Sequence, residues 1–241
     1  MPTQTTNTST NSTQTTNKVE ITDWKLRLAN YDNLLPEDFE VELANIDNSK
    51  DPKQFDARAV KYLKDMINAM KKAGNTSIWC QSTYRSVKRQ KELYDASVQK
   101  YLKQGKTQEE ADKLTLEYIN KPGGSDHNLG LAVDFNYVDN SFAKTTEYKW
   151  LLKNAENYGF ILRYPEDKED KTKIAYESWH WRYVGEENAK RIAITSRVHR
   201  TEIDSAIFLS VFSSFLLLSD SCERIISNLT APLPRISQSN A

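Results

Sequence analysis

The segment Pro122-Gly123-Gly124-Ser125-Asp126-His127-Asn128-Leu129-Gly130-Leu131-Ala132-Val133-Asp134-Phe135 is a glycine turn that runs into a strand, and Glu177-Ser178-Trp179-His180-Trp181 answers it later in the chain. From Leu131 to Val138, Leu131, Val133 and Phe135 alternate with Ala132, Asp134 and Asn136, so one strand face is apolar and Asp134 points from the other. The chain has 3 histidines, and two of them, His127 and His180, fall in these two segments, each close to a carboxylate. Imidazole is a favoured ligand for zinc and other borderline metals, so this placement points to a metal site.

Around these segments the chain mixes helices and strands. Val60, Leu63, Ile67 and Met70 recur at helical spacing until Ala73-Gly74, with Asp56 as expected N-cap and Phe55 and Val60 as its hydrophobic staple. Thr76 to Thr83 is an expected strand that delivers Tyr84-Arg85-Ser86, and a second helix is expected from about Val87 to Gln104. Thr107-Gln108-Glu109-Glu110 is a capping box that opens a third helix, ended by Lys121-Pro122-Gly123-Gly124. A helix over about Glu147 to Tyr158 is stopped by Gly159, and 159–164 and 174–184 are expected strands joined by a charged, solvated loop. Trp24, Leu26 and Leu28 alternate with charged residues as in a short strand. Strict βα alternation is absent, which predicts α+β: a small antiparallel sheet with flanking helices and the metal site at the sheet face.

Residues 1–18 are rich in Thr, Asn, Gln and Ser and predict a disordered leader or linker. Residues 19–194 form the expected domain, and 195–241, a Ser-rich tail without lysine, is expected to lie outside the fold. Lys plus Arg number 33 and Asp plus Glu 33, with no basic stripe, so composition gives no support to a nucleic-acid partner. Cys80 and Cys222 match no metal or redox spacing, and Cys80 is expected to act as a small hydrophobe. No secretory signal is visible at the N-terminus, and the apolar run from Ile207 to Leu218 is too short to span a bilayer, so no transmembrane segment is expected.

Amide hydrolysis at neutral pH needs an activated water, a polarised carbonyl and a group that moves protons. Two histidines and a carboxylate on Zn²⁺ supply the first two, and a free carboxylate supplies the third. His127, Asp134, His180 and Glu177 fit that requirement. The same ligand types serve Fe(II) oxygenases, but the extra glutamate favours hydrolysis. Glu177 and His180 lie three apart in a β-like stretch, so a turn or bulge at Glu177 is needed to swing its carboxylate toward the metal. Alternation sends Trp179 and Trp181 to the opposite face, as core or wall.

Ser125-x-His127-x-x-Gly130-x-Ala132-x-Asp134, with Glu177-x-x-His180-Trp181-Arg182-Tyr183 and the upstream Tyr84-Arg85-Ser86, resembles the VanY-type D-alanyl-D-alanine carboxypeptidases of the M15 zinc peptidase family. The resemblance runs from about Trp24 to Ala193 and implies a hedgehog/D-Ala-D-Ala-peptidase-like fold. It implies His127, Asp134 and His180 as zinc ligands, Glu177 as catalytic base, and Arg85 as a residue that holds the substrate carboxylate or steadies the oxyanion. Ser125 and Gln90 are implied substrate contacts. The implied partner is the stem peptide of peptidoglycan, met by a monomer at the cell envelope or outside the cell. Activity on L,D bonds, endopeptidase activity, or a non-catalytic zinc-containing wall-binding module are the alternatives. Asp126 and Asn128 stand where Glu and Gln are more usual in the family.

Overall fold

A computed structural model describes residues 23–200, the side chains of 195–200 excepted. The leader, Cys222 and 201–241 lie outside the described residues. The elements in order are β1 (Leu43–Asn45), β2 (Gln54–Asp56), α1 (Val60–Lys72), β3 (Cys80–Ser82), α2 (Val87–Lys103), α3 (Gln108–Leu116), β4 (Ala132–Phe135), α4 (Thr146–Asn154), β5 (Phe160–Leu162), α5 (Glu169–Thr172), β6 (His180–Tyr183) and α6 (Glu186–Arg200). The architecture is α+β, as expected. An antiparallel sheet of order β3-β4-β6-β5 carries helices around it, and β1 and β2 pair as a separate ribbon.

The sheet divides the molecule by chemistry. Val133 pairs with Trp181 and Leu162 pairs with Trp181 on the apolar face, which joins Phe55, Leu63, Met66, Phe135, Phe160 and Tyr183 in one core. Asp134 pairs with His180 and Ala132 with Arg182 on the other face. Directly opposed antiparallel residues send their side chains to the same side at close range. The register therefore brings Asp134 to His180.

Several expected elements change form. Trp24–Leu26 is a 3₁₀ turn capped by Asp23, not a strand, and Trp24 stacks on Tyr183. Asp56 ends β2 and accepts from the Arg58 backbone and guanidinium, while Ala59 is the N-cap of α1 with no side-chain cap. An adjacent arginine outcompetes the helix terminus for this buried carboxylate. The strands are shorter than their patterns, and a register shift interrupts β3 between Cys80 and Ser82. The third helix stops at Leu116, well before Pro122, and in the segment between them the Asn120 carbonyl accepts from Gln90 Nε2 at 2.7 Å. The charged loop contains α5, and α6 runs past the compositional change at 194 to Arg200. The capping box of α3 and the left-handed Gly159 after the 3₁₀ turn that extends α4 form as expected. Cys80 packs against the core, and burial pushes its thiol up to about 12, the behaviour of an unreactive hydrophobe.

Gly123 fixes the entry to the site. Its φ is +80°, and a Cβ there would lie 2.3 Å from the Leu35 carbonyl oxygen, which belongs to backbone that cannot yield. Gly123→Ala should cost more than about 2 kcal/mol of stability through left-handed strain plus the clash. Denaturant melts of the two proteins check this; equal midpoints would contradict it.

Candidate metal centre and active site

After the Gly123–Gly124 turn, Ser125 caps a 3₁₀ turn over Asp126–Leu129: its Oγ accepts from the His127 N–H, and Asn128 Oδ1 accepts from the Ser125 N–H. Asn128 Nδ2 donates to the Arg85 carbonyl at 2.8 Å, and the Arg85 N–H donates to the His127 carbonyl at 3.1 Å. Two sequence-distant segments, 83–85 and 125–128, are thereby tied together beneath the site. Gly130, at φ +68°, closes the turn and lets β4 start.

Ligand atoms of His127, Asp134 and His180 lie within 4.8 Å of one another, and all three residues are buried. His127 Nε2 is 3.1 Å from Asp134 Oδ2, and His180 Nδ1 is 3.0 Å from Asp134 Oδ1. His127 Nδ1 lies 2.6 Å from the Thr83 carbonyl oxygen. A carbonyl can only accept, so the proton sits on Nδ1 and the Nε2 lone pair faces inward. His127 Nε2 and Asp134 Oδ1 are buried atoms without a hydrogen-bond partner, as ligand atoms directed at a cation would be. Two imidazole nitrogens and one carboxylate suit zinc with a position left for water.

Electrostatics separate the carboxylates. Burial alone would raise Asp134, but His127 and His180 beside it hold its carboxyl far below the usual range. Glu177, buried and facing Asp134, is pushed well above its ordinary value. Burial, with Arg85 nearby, lowers His127 to about 4. A neutral imidazole is the ligand-competent form, so the pocket holds this histidine ready for metal. The unfolded chain takes up this proton near its ordinary 6.5, whereas the folded protein resists it down to about 4. Metal-free protein should therefore lose stability as pH falls through that window, with a slope approaching one proton. Denaturant titrations across pH check this against His127→Gln, which should lack that share of the slope; identical slopes would refute it.

Glu177 reaches the site through the expected turn: the His180 N–H donates to the Glu177 carbonyl at 3.4 Å, and Glu177 Oε2 lies 3.5 Å from His180 Nδ1. Asn140 braces that turn, accepting from the Ser178 N–H and donating to the Tyr176 carbonyl. A cavity of about 460 Å³ opens above the cluster, and Arg85, Gln90, Ser125, Tyr164 and Glu177 line it with the three ligand-type residues. Arg85 is half-buried, desolvation lowers its pKa against the pull of Asp134 and Glu177, and its Nε atom is buried without a partner. Gln90 is anchored through Nε2 and leaves Oε1 unpartnered. All seven residues predicted from sequence thus meet in one pocket. Trp181 is core as expected, whereas Trp179 is both core and cavity wall.

Three contributors went unpredicted. Tyr164 lies against His180, ring centroids 4.8 Å apart, and Asn140 braces the Glu177 turn. Neither sits in a motif that could have announced it. Asp126 was visible only as a departure from the family pattern; it is completely buried and paired with Arg163 and Arg182.

The sequence profile of VanY, described as D-alanyl-D-alanine carboxypeptidase, matches residues 52–186, more than half of the chain. The chain belongs to the VanY family. A D-alanyl-D-alanine carboxypeptidase of Enterococcus faecalis is 37% identical over 170 residues, 70% of this chain and 62% of that protein. The chain spans less than two thirds of the length of the curated relatives it matches. Two structures of VanY from the VanB type are similar. A variant in complex with Zn(II) is 35% identical, with TM-score 0.61 over 71% of this chain and 94% of that one. The other, bound to D-alanine-D-alanine, is 34% identical, with TM-score 0.62 over 75% of this chain and 100% of that one. The LD-carboxypeptidase LdcB is also similar: 34% identity and TM-score 0.61 over 73% of this chain and 85% of that one.

Proposed function

We propose that this VanY-family chain is a zinc-dependent carboxypeptidase that removes the C-terminal D-alanine from peptidoglycan stem peptides, at the cell envelope or outside the cell, with 19–194 as the catalytic unit. The observation that carries this reading is the buried His127–Asp134–His180 cluster with the raised carboxyl of Glu177 beside it. The relatives support it: one binds Zn(II), one D-alanine-D-alanine, and the Enterococcus faecalis relative is a D-alanyl-D-alanine carboxypeptidase. Among the described residues no helix is long and apolar enough to cross a membrane.

In this reading His127 Nε2, Asp134 and His180 Nδ1 hold the ion. Bound zinc would polarise the scissile carbonyl and make a water acidic enough to lose a proton near neutral pH. Glu177 Oε2 takes that proton and returns it to the leaving amine; a carboxyl with a raised pKa can do both. Arg85 faces the peptide's terminal carboxylate with a guanidinium fork, which fixes the bond to be cut as the last one. Ser125 Oγ and Gln90 Oε1, both at the cavity wall, orient the peptide backbone.

Incubating the protein with stem pentapeptide and tetrapeptide, with and without chelator, tests this. Chelator-sensitive loss of one D-alanine from the pentapeptide is expected. Because LdcB is as similar as VanY, cleavage of the tetrapeptide alone would move the reading to the L,D class. Zinc binding without cleavage of either would overturn catalysis in favour of a wall-binding module.

A further inference from the structure

The two ligand-type histidines are supported unequally. His127 gives its outer nitrogen to the Thr83 carbonyl, whereas the outer nitrogen of His180, Nε2, is buried with no hydrogen-bond partner. If Nδ1 turns its lone pair to a cation, Nε2 must carry the proton, and a buried N–H needs an acceptor. The acceptor on that side is Asp126 Oδ2, 4.0 Å away. Asp126 is held in place: Arg182 Nη1 pairs with Oδ1, and Arg163 Nε donates to Oδ2 at 2.8 Å. Arg182 is itself anchored, since Nη2 donates to the carbonyls of Lys25 at 3.2 Å and Arg27 at 2.8 Å. Arg182 leaves β6 two residues after His180 and points from the same sheet face, and the Arg163 N–H donates to the His180 carbonyl. Two guanidiniums around one carboxylate leave it an anion with lone pairs to spare. No catalytic step described above uses any of these three residues.

Resting on the zinc reading, we propose that Asp126 is a positioning residue for His180: its carboxylate, clamped by Arg163 and Arg182, orients the ring through Nε2–H and raises its strength as a ligand. The side chain stops short of contact, a consequence of aspartate standing where one more methylene would carry the carboxylate closer. Through Arg182 the clamp also ties the metal face of the sheet to the Lys25–Arg27 segment at the start of the fold.

The test compares wild type, Asp126→Asn and Asp126→Glu as full chains. Zinc affinity is measured by competition with a chromophoric chelator, and imidazole protonation by ¹⁵N NMR of the zinc-loaded proteins. Asp126→Asn should bind zinc about 10- to 100-fold more weakly, the usual effect of losing an outer partner of a metal-bound histidine. Asp126→Glu should restore the affinity, and the His180 Nε2–H resonance should move in Asp126→Asn while that of His127 Nδ1–H stays. A purely structural role would lower the melting temperature and leave the affinity of folded protein unchanged. Unchanged affinity with an unmoved resonance in Asp126→Asn would overturn the proposal, as would equal losses in both variants. If Asp126→Asn does not fold, Asp126→Glu decides against wild type: a displaced His180 Nε2–H resonance with zinc bound at least as tightly upholds the proposal, and an unmoved resonance overturns it. A wild type that binds no zinc would instead overturn the reading on which it rests.

Discussion

Glu177→Gln is expected to lower kcat by about 10²- to 10⁴-fold, the range associated with losing a positioned proton carrier. Glutamine keeps the size of the side chain and can occupy the same turn, which Asn140 and the Tyr164 carbonyl hold from outside. What it cannot do is accept the water's proton. The substitution also removes a carboxylate that burial and Asp134 push well above its ordinary pKa. A raised pKa means that the folded protein holds this proton more tightly than the unfolded chain. The folded state is therefore favoured at low pH and loses that advantage as pH rises through the folded value. Metal-free Glu177→Gln should then be at least as stable as wild type at neutral pH, and its zinc affinity should be retained. Kinetics, chelator competition and thermal melts in parallel separate the two roles. Full activity in the variant would refute Glu177 as base, and lost zinc binding would assign it to the metal instead.

Arg85→Met is expected to raise KM for the free pentapeptide by about 10²-fold, within the 2–5 kcal/mol typical of removing one partner of a desolvated charge pair. Arg85 is half-buried at the cavity wall, its buried Nε is unpartnered, and its backbone is locked to the His127 turn. A guanidinium desolvated beside two carboxylates becomes better compensated when a peptide carboxylate arrives. Methionine keeps most of the volume without the fork. A pentapeptide whose terminal carboxylate is capped as an amide provides the control: wild type should bind it as poorly as the variant binds the free acid. An equal loss on free and capped peptides would show that Arg85 acts on the oxyanion or on the fold, not on the terminal carboxylate.

These expectations join two kinds of information, local and long-range. Local rules sufficed for the α3 capping box, the Gly159 stop, and the alternation of β4 that turned Asp134 away from Val133 and Phe135. Each depends on a few neighbouring residues, which a sequence displays. The spacing of Glu177 and His180 even demanded a turn, because ideal strand geometry sends residues three apart to opposite faces. The seven residues picked from sequence share one cavity. Local patterns failed where other partners compete: the neighbouring Arg58 takes Asp56 from the start of α1, and the distant Tyr183 stacks on Trp24 in a 3₁₀ turn.

The sequence by itself determined which side chains carry chemistry and which face of β4 they leave, since residue type and period-two alternation are local properties. Tertiary structure decided how they meet. The antiparallel register that sets Asp134 against His180, and the Thr83 carbonyl that fixes the His127 tautomer, are contacts between segments far apart in the chain. The burial of Asp126 between Arg163 and Arg182 has the same origin. Burial and long-range pairing set the charge state of each group, and no local pattern encodes either.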